Sequence, residues 1–334
     1  MVEISDISIL GAGSWGTSMA HLLAENGRKV NLWSYSTETY EFLLKNRYHK
    51  FLPHTVLSKG ISFFRNIREC IENVPIVIIA VPSHGVRELS KNLSKLLTPE
   101  QVVVSISKGM ENDTLMFISQ IIRSEGVENP LAVMCGPSHA EEVIKFMPTV
   151  NVVASTDQKL AENIQKQLSC PSFRIYTCSD VIGVEVGSSV KNVIAICSGI
   201  CEGLGFGDNA KAAIMTRGIV EITRLGKALG ARVETFAGVS GIGDLIVTCI
   251  SRHGRNKKFG TLIGQNYSVE DAKREVKMVI EGLTTAKAVY NLSKRHNVSM
   301  PIVDEAYSVL FDGKKPMDAV RNLMSRSFTH EFNI

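Results

Sequence analysis

The chain has 334 residues, 44% of them hydrophobic and 21% charged, and a formal net charge of +4. That length predicts two domains, and the composition excludes a disordered chain. Its lysines and arginines are scattered among acids, which suits an anionic small molecule and excludes a nucleic-acid partner. Residues 1–6 lack the basic-then-apolar order of a secretory signal. The apolar run 74–82 is shorter than the roughly 20 residues a membrane helix needs. A cytoplasmic protein, not inserted in a membrane, is expected. The cysteines, Cys70, Cys135, Cys170, Cys178, Cys197, Cys201 and Cys249, are odd in number and include no CxxC pair. They read as reduced core residues, with no metal site.

In the first half, strands are predicted over 7–10, 29–33, 76–81, 102–107 and 131–135. Two more, 150–154 and 173–177, flank a helix over 158–168. Helical patterns over 17–26, 86–97 and 112–124 lie between strands. Such alternation predicts an α/β fold with a parallel, doubly wound sheet. Beyond about residue 180 strand-like runs vanish. One helix is expected over 181–200, followed by a loop at Gly203, Gly205 and Gly207. Asn209 is placed to cap a helix reaching 229, with Gly230 as its stop. Further helices are expected over 281–296, 301–311 and 316–325, opened by Pro301 and Pro316 where a proline is tolerated. The expected division is a nucleotide-binding domain over 1–180 and an all-helical substrate-binding and catalytic domain over 181–334, with a cleft between them.

The first strand runs into Gly11-Ala12-Gly13-Ser14-Trp15-Gly16 and then a helix. Gly11 permits the tight turn, Gly13 clears the approach of a pyrophosphate, and Gly16 lets the helix lie close to the strand. The helix N-terminus offers N–H groups and a favourable dipole to phosphates. This is a Rossmann-type dinucleotide signature. The second strand ends in Trp33-Ser34-Tyr35-Ser36-Thr37, with no acid before Glu38 to hold a ribose 2′-hydroxyl. Ser34, Tyr35 and Ser36 are candidates to bind a 2′-phosphate, and Arg47 is a candidate to reach it. NADPH is therefore expected to be accepted as well as NADH.

Lys191 stands in a small, apolar stretch, Gly183-Val184-Glu185-Val186-Gly187-Ser188-Ser189-Val190-Lys191-Asn192. A buried ammonium must be paired or neutralised, and such a lysine suits proton transfer to a carbonyl oxygen. Four further segments gather polar groups among glycines. Lys108 follows a strand's carboxyl end. Gly136, Ser138 and His139 make a strand-to-helix turn, but Glu141 and Glu142 exclude a phosphate there. Asp244 lies in a glycine-spaced apolar run and needs a partner. Gly254, Arg255 and Asn256 offer a fork and donors to a phosphate. His139 and His253 are read as structural.

The segments GAGSWGT, SKG, GPSHAEE, GVEVGSSVKNVIAI, NAKAAIMTRG, GVSGIGDLIVTC, GRN and VIEGLTTA, in this order, resemble bacterial-type NAD(P)-dependent glycerol-3-phosphate dehydrogenase over nearly the whole chain. The resemblance implies a Rossmann domain, an all-helical domain and an active site between them. It implies reduction of dihydroxyacetone phosphate to sn-glycerol 3-phosphate, which supplies the phospholipid backbone. It places Ser14, Trp15, Tyr35, Ala140, Val279 and Glu281 against the dinucleotide, and Lys108 and Arg255 against both cofactor and substrate. Gly136, Ser138 and Asn256 would hold substrate, Arg255 and Asn256 at its phosphate end. Lys191 would be the acid–base residue, with Asp244 and Asn192 beside it. Two departures stand out. Members commonly carry arginine or histidine where this chain has Tyr35. Many have serine at Gly254, whose N–H would replace the missing hydroxyl.

A β-hydroxyacid or 6-phosphogluconate-type dehydrogenase would share the two domains and the lysine–asparagine pair, but not the Gly-Ile-Gly-Asp and Gly-Arg-Asn segments. A non-catalytic NADPH sensor would keep the glycine turn and lose the lysine and acid. The apolar helices of the second half suit a homodimer and an internal core equally.

Overall fold

The computed structural model describes residues 6–252 and 254–331. They form two compact units. One combines the residues up to Ser107 with Ile118–Val181; the other combines Lys108–Phe117 with the residues from Ile182 onward. The segment Lys108–Phe117, expected in the first domain, therefore belongs with the helices. Met110 and Phe117 pair as an isolated bridge and are buried in the helical core. The Gly109 N–H donates to Ser189 Oγ, which in turn donates to the Gly109 carbonyl, both at 3.2 Å.

The first unit is a single sheet of β1 (Ile7–Leu10), β2 (Val30–Trp33), β3 (Ile61–Phe64), β4 (Ile76–Ile79), β5 (Val102–Ser105), β6 (Leu131–Cys135), β7 (Thr149–Ala154) and β8 (Phe173–Cys178). The order is β3-β2-β1-β4-β5-β6-β7-β8, parallel throughout except between β6 and β7. Every residue of β1, β2 and β4 is buried; β4 is wholly apolar, while the polar interruptions of β1 and β2, Ser8 and Asn31, both donate to the Cys70 carbonyl. The connecting helices are α1 (Ser14–Glu25), α2 (Thr37–Asn46), α3 (Ile67–Ile71), α4 (Val86–Leu93), α5 (Ile118–Ser124), α6 (Ala140–Val143) and α7 (Gln158–Leu168). In α7 the Asp157 carboxylate accepts from the N–H groups of Lys159 and Leu160, and Leu160, Ala161, Ile164 and Leu168 form the buried stripe. Two expectations are corrected. Strand β3 was not anticipated. The helix expected over 112–124 begins only at Ile118, because Leu115 adopts a left-handed φ of 60° and the bridge at Phe117 holds the chain extended.

The second unit contains α8 (Val181–Gly203), α9 (Asp208–Ala228), α10 (Val233–Phe236), α11 (Asp244–Ile250), α12 (Arg255–Gly264), α13 (Val269–Val276), α14 (Glu281–Arg295), α15 (Pro301–Phe311) and α16 (Pro316–Met324). Helix α8 runs through Gly203, and α9 opens behind Gly207 rather than at Asn209. Every residue of α8 from Gly183 to Cys201 is buried, so its apolar surface on all sides is core. By length and composition Val181–Gly203 and Val233–Ile250 would both suffice to cross a membrane. The first is almost wholly buried within the fold. The second is broken by a π-turn at Val239–Gly243 and carries Asp244 in an ion pair.

Helices α8 and α12 run parallel and meet main chain to main chain. A Cβ on Gly203 would lie 2.9 Å from the Gly264 Cα, and one on Gly264 would lie 2.9 Å from the Gly203 Cα. On Gly199 or Gly260 it would run into the carbonyl oxygens of Lys257 or Ile196. At the N-terminal end of this crossing Asn256 Nδ2 donates to Asn192 Oδ1 at 3.0 Å.

A buried carboxylate joins α9 to α15. Glu221 is 3% exposed, and its two oxygens accept from the N–H groups of Ile302 at 2.7 Å and Val303 at 3.2 Å. It caps a helix whose preceding residue, Met300, makes no side-chain cap. Burial pushes its carboxyl up to about 7; the N–H bonds and Arg224 oppose that rise, and Asp304 adds to it. A carboxyl raised from 4.5 binds its proton more tightly when folded, so stability is greatest below pH 4.5, falls as pH rises to about 7, and then levels off. Glu221→Gln should abolish this component, on the order of 3 kcal/mol. Urea midpoints of both proteins across that range measure it; parallel pH profiles would refute it.

Candidate active site

At the end of β1 the Gly11 N–H donates to the Trp33 carbonyl at 3.1 Å. Gly11 has φ +129°, and a Cβ there would stand 2.6 Å from the Ala80 carbonyl oxygen, so only glycine fits. Gly13 is exposed, with open space within 4 Å of where its Cβ would be. A Cβ on Gly16 would strike the Gly11 carbonyl, which holds α1 against the turn. Helix α1 opens at Ser14 with no acid in its first turn and no side-chain cap from Gly13. Trp15 Nε1 is buried without a hydrogen-bond partner. A bare helix N-terminus, a clear approach and an orphaned donor fit a dinucleotide pyrophosphate. Ala140 is brought to this helix, since its carbonyl accepts from Ser18 Oγ at 2.9 Å. In the same turn Ser138 Oγ donates to the Gly136 carbonyl at 3.1 Å.

Beyond β2, Tyr35 is 69% exposed. Arg47 does not join it. Its guanidinium donates to the carbonyls of Ser58 and Ile61 and lies 5.2 Å from the Phe63 ring centroid, anchoring its own loop. Ser34 Oγ donates to the Ser36 carbonyl at 2.9 Å, and Ser36 Oγ caps α2. These two hydroxyls serve the turn.

In the second unit α8 presents Lys191 and α11 presents Asp244, 5% and 1% exposed. Lys191 Nζ lies 2.5 Å from Asp244 Oδ1, and Lys108 Nζ lies 2.9 Å from Asp244 Oδ2. Each carboxylate oxygen thus serves one lysine. Lys108 is delivered by the turn at Gly109, whose φ of +120° suits glycine. Burial would raise the Asp244 carboxyl, but the two ammonium groups and their hydrogen bonds outweigh it and hold it below the ordinary range. Thr248, which the sequence reading passed over, completes the centre. Its hydroxyl donates to the Asp244 carbonyl at 2.6 Å, so its oxygen is turned to accept from Lys191 Nζ at 2.8 Å. The available signal was its place one helical turn after Asp244.

Helix α12 supplies the third cluster. Its first turn has no acid and opens with Arg255, preceded by Gly254, which offers no side-chain cap. Such a terminus suits an anion, unlike that of α6, whose first turn carries Glu141 and Glu142. Arg255 is exposed, and its Nη1 lies 3.5 Å from the Val279 carbonyl. Asn256 is buried; besides its bond to Asn192, its Oδ1 accepts from the Gly282 N–H at 3.0 Å, one residue from Glu281. It therefore ties α8, α12 and α14 together. His253 lies outside the described residues.

A Rossmann-type sheet and a helical unit built around a buried lysine are the components of a two-unit nicotinamide-dependent oxidoreductase. Family models for the NAD-dependent glycerol-3-phosphate dehydrogenase N-terminus and C-terminus match residues 6–161 and 180–321. The glycerol-3-phosphate dehydrogenase, NAD(P)+-type, of Thermoanaerobacter sp. (strain X514) is 46% identical over 327 residues, 98% of this chain and 99% of that protein. Its counterpart in Bacillus pumilus (strain SAFR-032) is 45% identical over 329 residues, 97% of this chain and 95% of that protein. The crystal structure of glycerol-3-phosphate dehydrogenase from Coxiella burnetii matches with a TM-score of 0.93 and 33% identity, covering 97% of this chain and 99% of that one. The chain belongs to the NAD-dependent glycerol-3-phosphate dehydrogenase family.

Proposed function

We infer that this chain reduces dihydroxyacetone phosphate to sn-glycerol 3-phosphate with NADPH or NADH, and catalyses the reverse reaction. The carrying observation is the buried centre in which Asp244 bridges Lys191 and Lys108. The nicotinamide, when bound, supplies the hydride to the ketone carbon. Lys191 donates a proton to the carbonyl oxygen as charge develops there, and neutral Lys191 takes it back in the alcohol-oxidising direction. Asp244 and Thr248 hold the amine from two sides and fix where it lies. Lys108 adds positive field through the second carboxylate oxygen. The opening of α12, with Arg255, holds the phosphate, while Asn256 and Asn192 keep that opening in register with α8. Gly11, Gly13, Gly16, Ser14, Trp15 and Ala140 hold the dinucleotide.

The decisive assay is oxidation of reduced nicotinamide dependent on dihydroxyacetone phosphate, run beside β-keto acids and 6-phosphogluconate with NADP+. Turnover of those alternatives without the phosphoketone would overturn the assignment. Arg255→Ala should raise the KM for dihydroxyacetone phosphate by about 10- to 100-fold through loss of a charge-assisted contact, with a smaller effect on kcat. An unchanged KM would move the phosphate elsewhere.

A further inference from the structure

We propose that Arg65, reaching over from β3, is the residue that recognises the ribose 2′-phosphate of NADPH, taking the place of a cation on β2. The proposal rests on the dinucleotide reading of the glycine turn, and it assigns coenzyme choice to a strand that the sequence did not reveal.

In this sheet arrangement the adenosine ribose lies beyond the carboxyl end of the second strand, where an acid selects NADH and an arginine accommodates the phosphate of NADPH. Here that position has neither on its own strand: the chain reads Ser34-Tyr35-Ser36 there. The first acid, Glu38, is paired with Lys50. The groups that sequence alone offered are spent locally, Ser34 and Ser36 on the turn and Arg47 on its loop.

Register brings in the replacement. Trp33 pairs with Phe64 in the parallel β2–β3 ladder, and the Ser34 N–H donates to the Phe64 carbonyl at 3.0 Å. The next residue, Arg65, therefore emerges beside Ser34 at the same edge. Its main chain is fixed there, because Trp33 Nε1 donates to the Arg65 carbonyl at 3.0 Å. Its guanidinium donates through Nε to Thr37 Oγ1 at 3.1 Å and through Nη1 to the Ser34 carbonyl at 3.4 Å. The guanidinium carbon lies 5.9 Å from the Tyr35 ring centroid, and Tyr35 is itself braced edge-on by Trp33 at 6.2 Å. Both Arg65 and Tyr35 are exposed. A planar cation held by its Nε side and backed by an aromatic ring is a preorganised receptor for a phosphate dianion. The arginine–tyrosine pair across two strands thus does what a single arginine would do on one.

The test measures dissociation constants for NADPH and NADH by calorimetry, with no ketone present, for the wild-type chain, Arg65→Ala and Arg65→Gln. The glutamine variant retains the polar stem packing should the alanine variant fold poorly. The wild-type chain should bind NADPH more tightly than NADH. Both substitutions should weaken NADPH by about 10- to 100-fold and change NADH by less than about twofold. The fragment pair 2′,5′-ADP and 5′-AMP should show the same loss confined to the phosphorylated member. Equal weakening of both nucleotides would mark Arg65 as merely structural, and unchanged NADPH affinity would remove it from the site; either overturns the proposal. Turnover of dihydroxyacetone phosphate is assayed separately. Its absence beside a selective loss of NADPH would sink the substrate assignment and leave Arg65 in place.

Discussion

Lys191→Ala is expected to lower kcat by about 10²- to 10⁴-fold, the usual size of a general acid–base contribution. The side chain is buried and held by Asp244 and Thr248, so no solvent-borne group is positioned to substitute for it. Removing the amine leaves Asp244 with Lys108 as its remaining ion-pair partner, and the fold should tolerate the change better than the loss of the acid. Nicotinamide affinity should be nearly unaffected, since the glycine turn and α1 belong to the other unit. Steady-state kinetics beside a direct coenzyme titration separate these effects. A variant that retains near-normal kcat would strip Lys191 of its role.

Asp244→Asn should be the more damaging substitution for stability. It keeps the shape of the side chain and removes the charge that two ammonium groups share, one of them almost wholly buried. Breaking a buried ion pair from one side costs about 3–5 kcal/mol, because the uncompensated charge stays behind. The loss should also appear in kcat, since an amine facing a second cation with no carboxylate between them carries its proton less of the time and is less available as the donor in the reducing direction. The pH dependence has a defined sign. A carboxyl held below its unfolded value of 3.8 contributes stability that is present above that pH and disappears as pH falls through the lower folded value. The stability gap between wild type and Asp244→Asn should therefore be open at neutral pH and narrow below pH 3.8. Urea unfolding at a series of pH values measures it, and a gap that widens on acidification would contradict the arrangement.

Much of this was legible in the sequence, for physical reasons that differ from residue to residue. The strands β1, β4 and β6 announced themselves because they are buried on both faces and bounded by turns. The glycine turn was readable because each glycine answers a separate steric demand of backbone or ligand. Lys191 and Asp244 were found as charges in apolar surroundings that had to have partners, and they are partners of each other. What escaped depends on long-range contact. Strand β3 is only Ile61–Phe64, and its pairing with β2 is what makes it a strand. With β3 hidden, Arg65 could not be placed, and Arg47 stood as the candidate in its stead. The helical reading of 112–117 followed a local pattern that the left-handed Leu115 and the Met110–Phe117 bridge override. Thr248 was hidden because a threonine on a helix is unremarkable until the hydrogen on its oxygen is traced to the Asp244 carbonyl.

The glycine crossing of α8 and α12 has a bearing on which molecules this enzyme can accept. Between the helix that holds Lys191 and the one that opens with Arg255 the close approach is made by peptide groups, in contact at Gly199, Gly203, Gly260 and Gly264, with the Asn192–Asn256 bond at its head. The spacing from α8 to the opening of α12 is therefore a ruler cut in main chain. Sequence drift in exposed loops leaves its length alone, and altering the size of the accepted phosphoketone requires changing those glycines themselves.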